Sequence, residues 1–297
     1  MPFQWLLLHL SMNHDSLKLI ECPRDAMQGW KNFIPTEKKI EYINSLLKVG
    51  FDTIDFGSFV SAKAIPQMAD TKEVIGNLDL GIGNTKLLAI VANTRGAEEA
   101  SAFDQVTYLG FPFSVSETFQ QRNTNSSIEE SLKRVGEIQN LCINKNKKLV
   151  IYISMAFGNP YNDLYDEDIV FNWVEKLVEL DIEIISLADT VGVASPEQVY
   201  DMTSYLVESL PSTEIGVHLH STSENWHQKL EAAVKAGCKR FDGALKGIGG
   251  CPMANDDLVG NMNTEWMISY FEKNNIQTGL NKDALEESLR IAGEIFI

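Results

Sequence analysis

Short apolar segments alternate with longer amphipathic segments along most of the chain. Eight of the apolar segments have the length and the side chains of β-strands. They span residues 18–20, 53–56, 87–91, 107–109, 149–154, 182–188, 215–220 and 240–243. The amphipathic segments predict helices over residues 36–49, 127–142, 165–180, 196–210, 226–236, 264–274 and 282–296. Ser127 ahead of two glutamates and Pro196 in a first turn mark two of the helix starts.

Strands that alternate with helices build a parallel sheet, either open and doubly wound or closed as a (β/α)8 (TIM) barrel. The count of eight favours the barrel, since no GxGxxG motif follows the first strand to support a dinucleotide-binding sheet. The isolated GIG at residues 81–83 is expected to be a turn. We therefore predict an α/β fold in which residues 17–297 form one TIM-barrel domain with C-terminal helices. Residues 1–16 are expected to form an N-terminal arm that can be disordered.

The composition narrows the class of protein. The 297 residues carry 25 basic and 41 acidic side chains, a net charge of −16, which repels phosphate backbones and argues against a nucleic-acid partner. Four cysteines without a CxxC pair suit a reducing compartment. The apolar run near the N-terminus is too short to span a bilayer and lacks the features of a signal peptide. The sequence thus predicts a cytoplasmic protein with no membrane partner.

In a TIM barrel the chemistry lies at the carboxyl ends of the strands. Polar or reactive groups follow seven of the eight predicted strands, which is more than an accidental scatter would collect at one rim. These groups are Arg24 and Asp25, Asp55, Ser114 and Glu117, Ser154, Asp189 and Thr190, His218 and His220, and the loop at residues 247–252. We therefore predict an active site at this rim.

His218 and His220 lie two apart on a predicted strand, so their side chains emerge on the same face and can share one divalent ion. The pair alone is equally compatible with two structural histidines. A carboxylate from Asp25 and an amide oxygen from Asn261 would complete the ligand set. Two imidazoles with hard oxygen ligands suit Mg²⁺ or Mn²⁺, with Zn²⁺ as an alternative.

Two further residues have both a structural and a chemical interpretation. Arg24 is either a rim ion-pair partner or a fixed cation that stabilises charge developing on a carbonyl oxygen. Cys251 follows two glycines and is either a small packing residue or a proton donor, since an ordinary thiol is mostly protonated at neutral pH.

Motifs over nearly the whole chain resemble those of the 3-hydroxy-3-methylglutaryl-CoA (HMG-CoA) lyase family of metal-dependent TIM barrels. They are PRDAMQ (23–28), GSFVSAKAIPQM (57–68), NSSIEES (125–131), ADTVG (188–192), HLH (218–220), GIGGCP (247–252) and GN (260–261). The resemblance implies a barrel that uses Mg²⁺ or Mn²⁺ to cleave HMG-CoA to acetyl-CoA and acetoacetate. It also suggests a role in leucine breakdown and a homodimer.

The resemblance implies a role for each matching residue. The matched metal ligands are Asp25, His218, His220 and Asn261. Arg24 matches an arginine that polarises the thioester carbonyl, and Cys251 matches a cysteine that protonates the enolate. Asp189 matches an aspartate that orients groups around the ion. The residues expected near the acyl-CoA are Gln28, Lys31, Arg122 and Asn123. Asp25 is also the expected acceptor of the 3-hydroxyl proton.

Several positions depart from the family pattern. Asp55 stands where a glutamate is common, and Ser221 replaces the acidic residue usual after HxH. Glu21 is one residue nearer the proline, and the loop before Asn261 is one residue longer. Two alternatives therefore stay open. One is a lyase, aldolase or Claisen-type synthase for another 3-hydroxyacyl-CoA or a 2-oxo acid, and the other is a catalytically silent barrel that binds metal or CoA.

Overall fold

The computed structural model describes residues 17–81, 83–250 and 259–297. The predicted N-terminal arm and Cys251 lie outside the described residues. Among the residues it does describe, we find no helix that is both long and apolar enough to cross a lipid bilayer.

Eight parallel strands form a closed barrel in sequential order, which confirms the predicted fold class. The strands are β1 (Lys18–Glu21), β2 (Thr53–Ser58), β3 (Lys86–Ile90), β4 (Val106–Ser114), β5 (Lys148–Ser154), β6 (Ile184–Ala188), β7 (Glu214–His218) and β8 (Arg240–Gly243). Pairing of β8 with β1, from Lys18 opposite Arg240 to Glu21 opposite Gly243, closes the cylinder. The open, doubly wound alternative is excluded.

Helices connect the strands and pack outside them. Those described are α1 (Pro23–Gln28), α2 (Thr36–Leu47), α3 (Thr71–Gly76), α4 (Thr94–Ser101), α5 (Glu117–Thr124), α6 (Ile128–Asn144), α7 (Glu167–Val178), α8 (Pro196–Ser209), α9 (Trp226–Lys235), α10 (Thr264–Lys273) and α11 (Lys282–Ile295). The seven predicted helices are all present. The sequence missed α1, α3, α4 and α5, which have six to eight residues and therefore too few turns for a clear periodic pattern.

Two apolar layers hold the barrel together. The larger layer packs the outward faces of the strands against the helices, with Phe111 and Phe113 of β4 among its members. A smaller cluster lies on the inward strand positions and includes Leu88, Tyr108 and Val150. Because side chains fill the barrel interior, the polar residues above this cluster lie on a packed floor rather than over a pore.

The prediction for the fourth strand, residues 107–109, was too short. β4 continues to Ser114 because it pairs with β5 in unbroken register, Pro112 opposite Tyr152 included. Gly110, an apparent strand breaker, lies inside the strand, where a Cβ would be 2.6 Å from Cδ1 of Ile90 and would force that side chain to shift. The glycine inside this strand thus marks a point where side chains of the barrel interior lie close to the strand backbone.

Glu21 ends β1 and is fully buried. Its carboxylate accepts hydrogen bonds from the backbone N–H of Leu245, at 2.8 Å, and from the hydroxyl of Thr264, at 2.6 Å. Burial raises the pKa of Glu21 to about 8, so the folded protein holds this proton more tightly than the unfolded chain does.

We expect Glu21→Gln to stabilise the protein at pH 8.5 and to change its stability much less at pH 5. A raised folded-state pKa contributes stability at low pH that is lost as the pH rises from about 4.5 toward 8. The amide avoids this loss, because its oxygen accepts from Leu245 and its NH₂ donates to the Thr264 hydroxyl, which then becomes the acceptor. Urea unfolding at several pH values would measure the difference, with exposed Glu37→Gln as the control. A difference that stays constant with pH would contradict the prediction.

Candidate active site

Arg24 and Asp25 reach the carboxyl-terminal rim through the short helix α1, which follows β1 after one residue. Pro23 occupies the first helical position, where its missing N–H costs no hydrogen bond. The sequence predicted a polar strand end here. The structure instead places both side chains, which are buried, in the first turn of a helix.

The predicted carboxylate and both histidines come together. One ligand atom each from Asp25, His218 and His220 lies within 4.8 Å of the others, so that one cation could contact all three. The strand prediction was wrong for His220, because β7 ends at His218. An isolated antiparallel bridge between His220 and Asn261 holds it beside the site instead.

Asn261 joins the same group. Its Nδ2 donates to Oδ2 of Asp25 at 2.6 Å and to the carbonyl of Ile248 at 2.9 Å. Its Oδ1 is buried without a hydrogen-bond partner among the described residues. A buried amide oxygen normally has a partner. With two imidazoles and a carboxylate beside it, this oxygen completes a donor set that fits a hard divalent cation such as Mg²⁺ or Mn²⁺.

The protonation of two of the three titratable candidates, Asp25 and His220, suits ligation in the absence of a cation. Burial and, to a lesser extent, the charge of nearby His218 lower the pKa of His220 to about 3, so this imidazole is neutral. Burial raises the pKa of Asp25, but Arg24 and the two histidines outweigh burial and leave it below its ordinary value. Burial lowers the pKa of His218, but Asp242 outweighs it and the net direction is upward. A bound cation would favour the neutral imidazole.

Arg24 lies between two carboxylates. Its Nε and Nη2 donate to Asp55, and its Nη1 donates to Asp25 at 3.0 Å. Burial raises the pKa of Asp55 to about 6, with Arg24 opposing that rise. Three of the five guanidinium N–H groups are thus committed and the other two can meet a substrate oxygen. Both interpretations of Arg24 fit, since it is an ion-pair partner that also lines the cavity.

Asp189 lies behind the histidines rather than among the ligand atoms. Its Oδ2 accepts from Nζ of Lys229 at 2.6 Å, and both side chains are almost fully buried. The same Nζ donates to the carbonyl of His220 at 3.0 Å. Asp189 can therefore act on His220 through Lys229, and its predicted role in orienting groups around the ion stays a prediction.

The residues expected near the acyl-CoA do not all meet. Gln28 donates to Oδ1 of Asp25 at 2.7 Å, and it lines a cavity of about 250 Å³ together with Asn123 and the histidines. The guanidinium carbon of Arg122 lies 4.6 Å from the centre of the Tyr161 ring. Lys31 lines a separate cavity of about 380 Å³ beside Gly249 and Gly250. The structure therefore places Gln28 and Asn123 at one cavity and Lys31 at another, and Arg122 lines neither of the two.

A second set of potential ligand atoms also includes His218 and is completed by Cys22 and Asp242. Burial raises the pKa of the Cys22 thiol well above its usual value, and the charges of Asp242, Asp55, Asp25 and Glu21 raise it further. Since a thiolate is the form that binds metal, this set is poorly prepared for an ion.

Sequence reasoning missed Lys229 and Asp242. Nothing in the sequence separates Lys229 from the other lysines of amphipathic helices. Asp242 had a signal, since two charged residues flank Phe241 on a strand that the barrel buries on both faces. Two other rim residues have structural contacts: Ser114 accepts from the N–H of Ser116, and Glu117 from that of Ile128.

The closed barrel with these groups gathered at its carboxyl-terminal rim defines a TIM-barrel enzyme. Residues 18–291 match the model of the HMGL-like family. The chain is 33% identical to the cytoplasmic 3-hydroxy-3-methylglutaryl-CoA lyase of Rattus norvegicus, over 92% of this chain and 79% of the relative. It is 34% identical to a hydroxymethylglutaryl-CoA lyase of Bacillus subtilis, over 89% of this chain and 87% of the relative.

A solved structure agrees with these sequence matches. The HMG-CoA lyase of Acinetobacter baumannii, in complex with coenzyme A and 3-methylmalate, superposes with a TM-score of 0.88 at 32% identity. The superposition covers 96% of this chain and 92% of that one. The chain therefore belongs to the HMGL-like family, which confirms the resemblance drawn from its motifs.

Proposed function

We propose that this protein cleaves HMG-CoA to acetyl-CoA and acetoacetate with the help of Mg²⁺ or Mn²⁺. The observation that carries the proposal is the convergence of Asp25, His218 and His220 at the rim of an HMGL-like barrel. Asn261 supports it, because its Nδ2 contacts Asp25 and its Oδ1 is buried without a hydrogen-bond partner among the described residues. When bound there, a divalent cation would polarise oxygen atoms of the substrate and orient the bond to be broken.

The reaction requires a proton to leave the 3-hydroxyl group as the C2–C3 bond breaks. The electron pair of that bond becomes the enolate of acetyl-CoA, and a proton is then added at C2. Arg24 is suited to the enolate oxygen, because it is fixed by two carboxylates before substrate arrives and has N–H groups left to donate.

The reaction also needs an acceptor for the 3-hydroxyl proton and a donor of the proton that is added at C2. Asp25 is ionised, so we assign it both to holding the cation and to accepting the 3-hydroxyl proton, and its lowered pKa makes it a weak base in the second role. The donor at C2 is proposed to be Cys251, for which the family resemblance is the support. Cys251→Ala should then slow turnover while cation binding is kept.

The direct test uses purified protein stripped of metal and then supplied with Mg²⁺ or Mn²⁺. Incubation with HMG-CoA should give equal amounts of acetoacetate and acetyl-CoA, and a chelator should stop the reaction reversibly. Folded protein that binds Mn²⁺ but releases neither product would overturn the proposed substrate. Binding of HMG-CoA without turnover would support the catalytically silent barrel.

A related acyl-CoA is the second candidate substrate, and Asp55 favours it. The side chain is one methylene shorter than the glutamate common in the family, and it holds Arg24 directly. Such a change can alter where Arg24 meets the acyl group. A panel of 3-hydroxyacyl-CoA thioesters and 2-oxo acids, compared by kcat/KM, would separate this candidate from HMG-CoA.

We further propose a cytoplasmic homodimer that acts in leucine breakdown. The family resemblance supports the homodimer and the pathway, and the lack of a CxxC motif in the sequence supports a reducing compartment such as the cytoplasm. Light scattering of the purified protein would give the oligomeric state.

A further inference from the structure

Asp242 is a buried carboxylate whose hydrogen-bonding contact is with one side chain, that of His218. It lies on β8 with 2% of its surface exposed, and its Oδ2 is 3.2 Å from Nδ1 of His218. Its other oxygen, Oδ1, is buried and has no hydrogen-bond partner among the described residues. Burying a carboxylate with so few partners is costly for folding, so stability of the barrel does not explain this residue.

The neighbouring strand pair completes the arrangement. In the register of β7 with β8, His218 lies opposite Asp242, and Gly216 lies opposite Arg240. A Cβ on residue 216 would be 2.9 Å from Cδ of Arg240, so glycine leaves room for the arginine stem. Arg240 is fully buried and lies two residues from Asp242, on the same interior face.

Arg240 supplies the charge that a buried carboxylate needs. Burial lowers the pKa of Arg240, but the charges around it, of which Asp242 contributes most, together outweigh burial and raise it. The Nε and Nη2 of Arg240 have no partner among the described residues, and its Nη1 is 3.3 Å from Glu214. Arg240 therefore balances Asp242 electrostatically and leaves the Oδ2 of Asp242 to His218.

We propose that Asp242 is a positioning residue for the cation site: it holds His218 with the proton on Nδ1 and leaves Nε2 as the nitrogen that ligates. The inference rests on the proposed cation site and adds a residue to it. A carboxylate accepts hydrogen bonds and cannot donate them, so it selects the tautomer with N–H at Nδ1. Carboxylates that orient metal-binding imidazoles in this way raise affinity by about 10–100-fold.

The test compares Asp242→Asn and Asp242→Ser with the native protein. We expect Mn²⁺ affinity, measured by electron paramagnetic resonance of the free ion, to fall about 10–100-fold in both variants. Exposed Asp168→Asn should leave the affinity unchanged. Circular dichroism checks the fold of each variant, and the serine variant serves if the asparagine variant fails to fold.

A second readout separates positioning from a merely structural role. Long-range ¹H–¹⁵N spectra of metal-free protein with labelled histidine report which ring nitrogen carries the proton, and His218→Gln assigns the signal. The native protein should show His218 protonated at Nδ1. The serine variant, whose shorter side chain removes the carboxylate acceptor, should show a mixture or the other tautomer, whereas the amide oxygen of the asparagine variant can still accept from Nδ1. An unchanged tautomer in the folded serine variant would overturn the proposal.

Two further outcomes are distinguishable. Native protein that binds no Mn²⁺ would overturn the cation site itself and, with it, the proposed function, whatever the tautomer. A loss confined to Zn²⁺, reproduced by Cys22→Ser, would make Asp242 a ligand together with Cys22 and would overturn the positioning role.

Discussion

Asp25→Asn is expected to reduce kcat/KM for HMG-CoA on the order of 10³-fold or more, because a cation's stabilisation of charge amounts to several kcal/mol. Three donors converge on the carboxylate, from Arg24, Gln28 and Asn261. An asparagine would turn its own NH₂ toward one of these donors and would replace a charged ligand with a neutral one. Mn²⁺ affinity should therefore fall together with activity.

The control for this variant is Asp168→Asn, which makes the same chemical change on the exposed face of α7. Steady-state kinetics and Mn²⁺ titration on both variants would compare their kcat/KM and Mn²⁺ affinity, with circular dichroism as a check of folding. Native-like Mn²⁺ affinity in folded Asp25→Asn protein would show that this carboxylate is not a ligand.

Arg24→Lys is expected to lower kcat about 10²–10³-fold, the usual effect of removing a donor to a developing oxyanion. Arg24 binds Asp55 through two nitrogens and Asp25 through a third. A lysine ammonium has three donors on a flexible stem and cannot hold both carboxylates and also meet a substrate oxygen in the same geometry. Because the cation ligands stay in place, Mn²⁺ affinity should fall far less than kcat.

The matched control is Arg95→Lys, since Arg95 is exposed and remote from the cavity. Single-turnover measurements would separate the chemical step from product release. An unchanged kcat in Arg24→Lys would limit Arg24 to the ion-pair role that the sequence left open.

Much of the ligand set could be predicted because the barrel topology alone brings strand ends together. Asp25, His218 and His220 each follow a strand that sequence periodicity identifies, and a closed parallel barrel places those ends at one rim. The helical turn that carries Asp25 was not predictable, because α1 has only six residues. Asp25 still lies at the predicted rim, because the turn begins directly after β1, and its role as a ligand stays a prediction.

Residues that act through another side chain were harder to find. The contact of Asp242 with His218 depends on the register of β7 with β8, and periodicity does not give a register. Lys229 lies on a helix and donates to Asp189, which is 40 positions away in the sequence, and to the carbonyl of His220, which is 9 positions away. Such contacts depend on how a helix is placed on the barrel, which the pattern of apolar residues leaves open.

Anomalous diffraction from crystals soaked in Mn²⁺ tests the central claim most directly. The account predicts one strong peak at the carboxyl-terminal rim, in contact with the carboxylate of Asp25, the imidazoles of His218 and His220, and the amide oxygen of Asn261. A peak in contact with Cys22 and Asp242 instead would contradict the account, and so would the absence of a peak at this rim in crystals saturated with Mn²⁺.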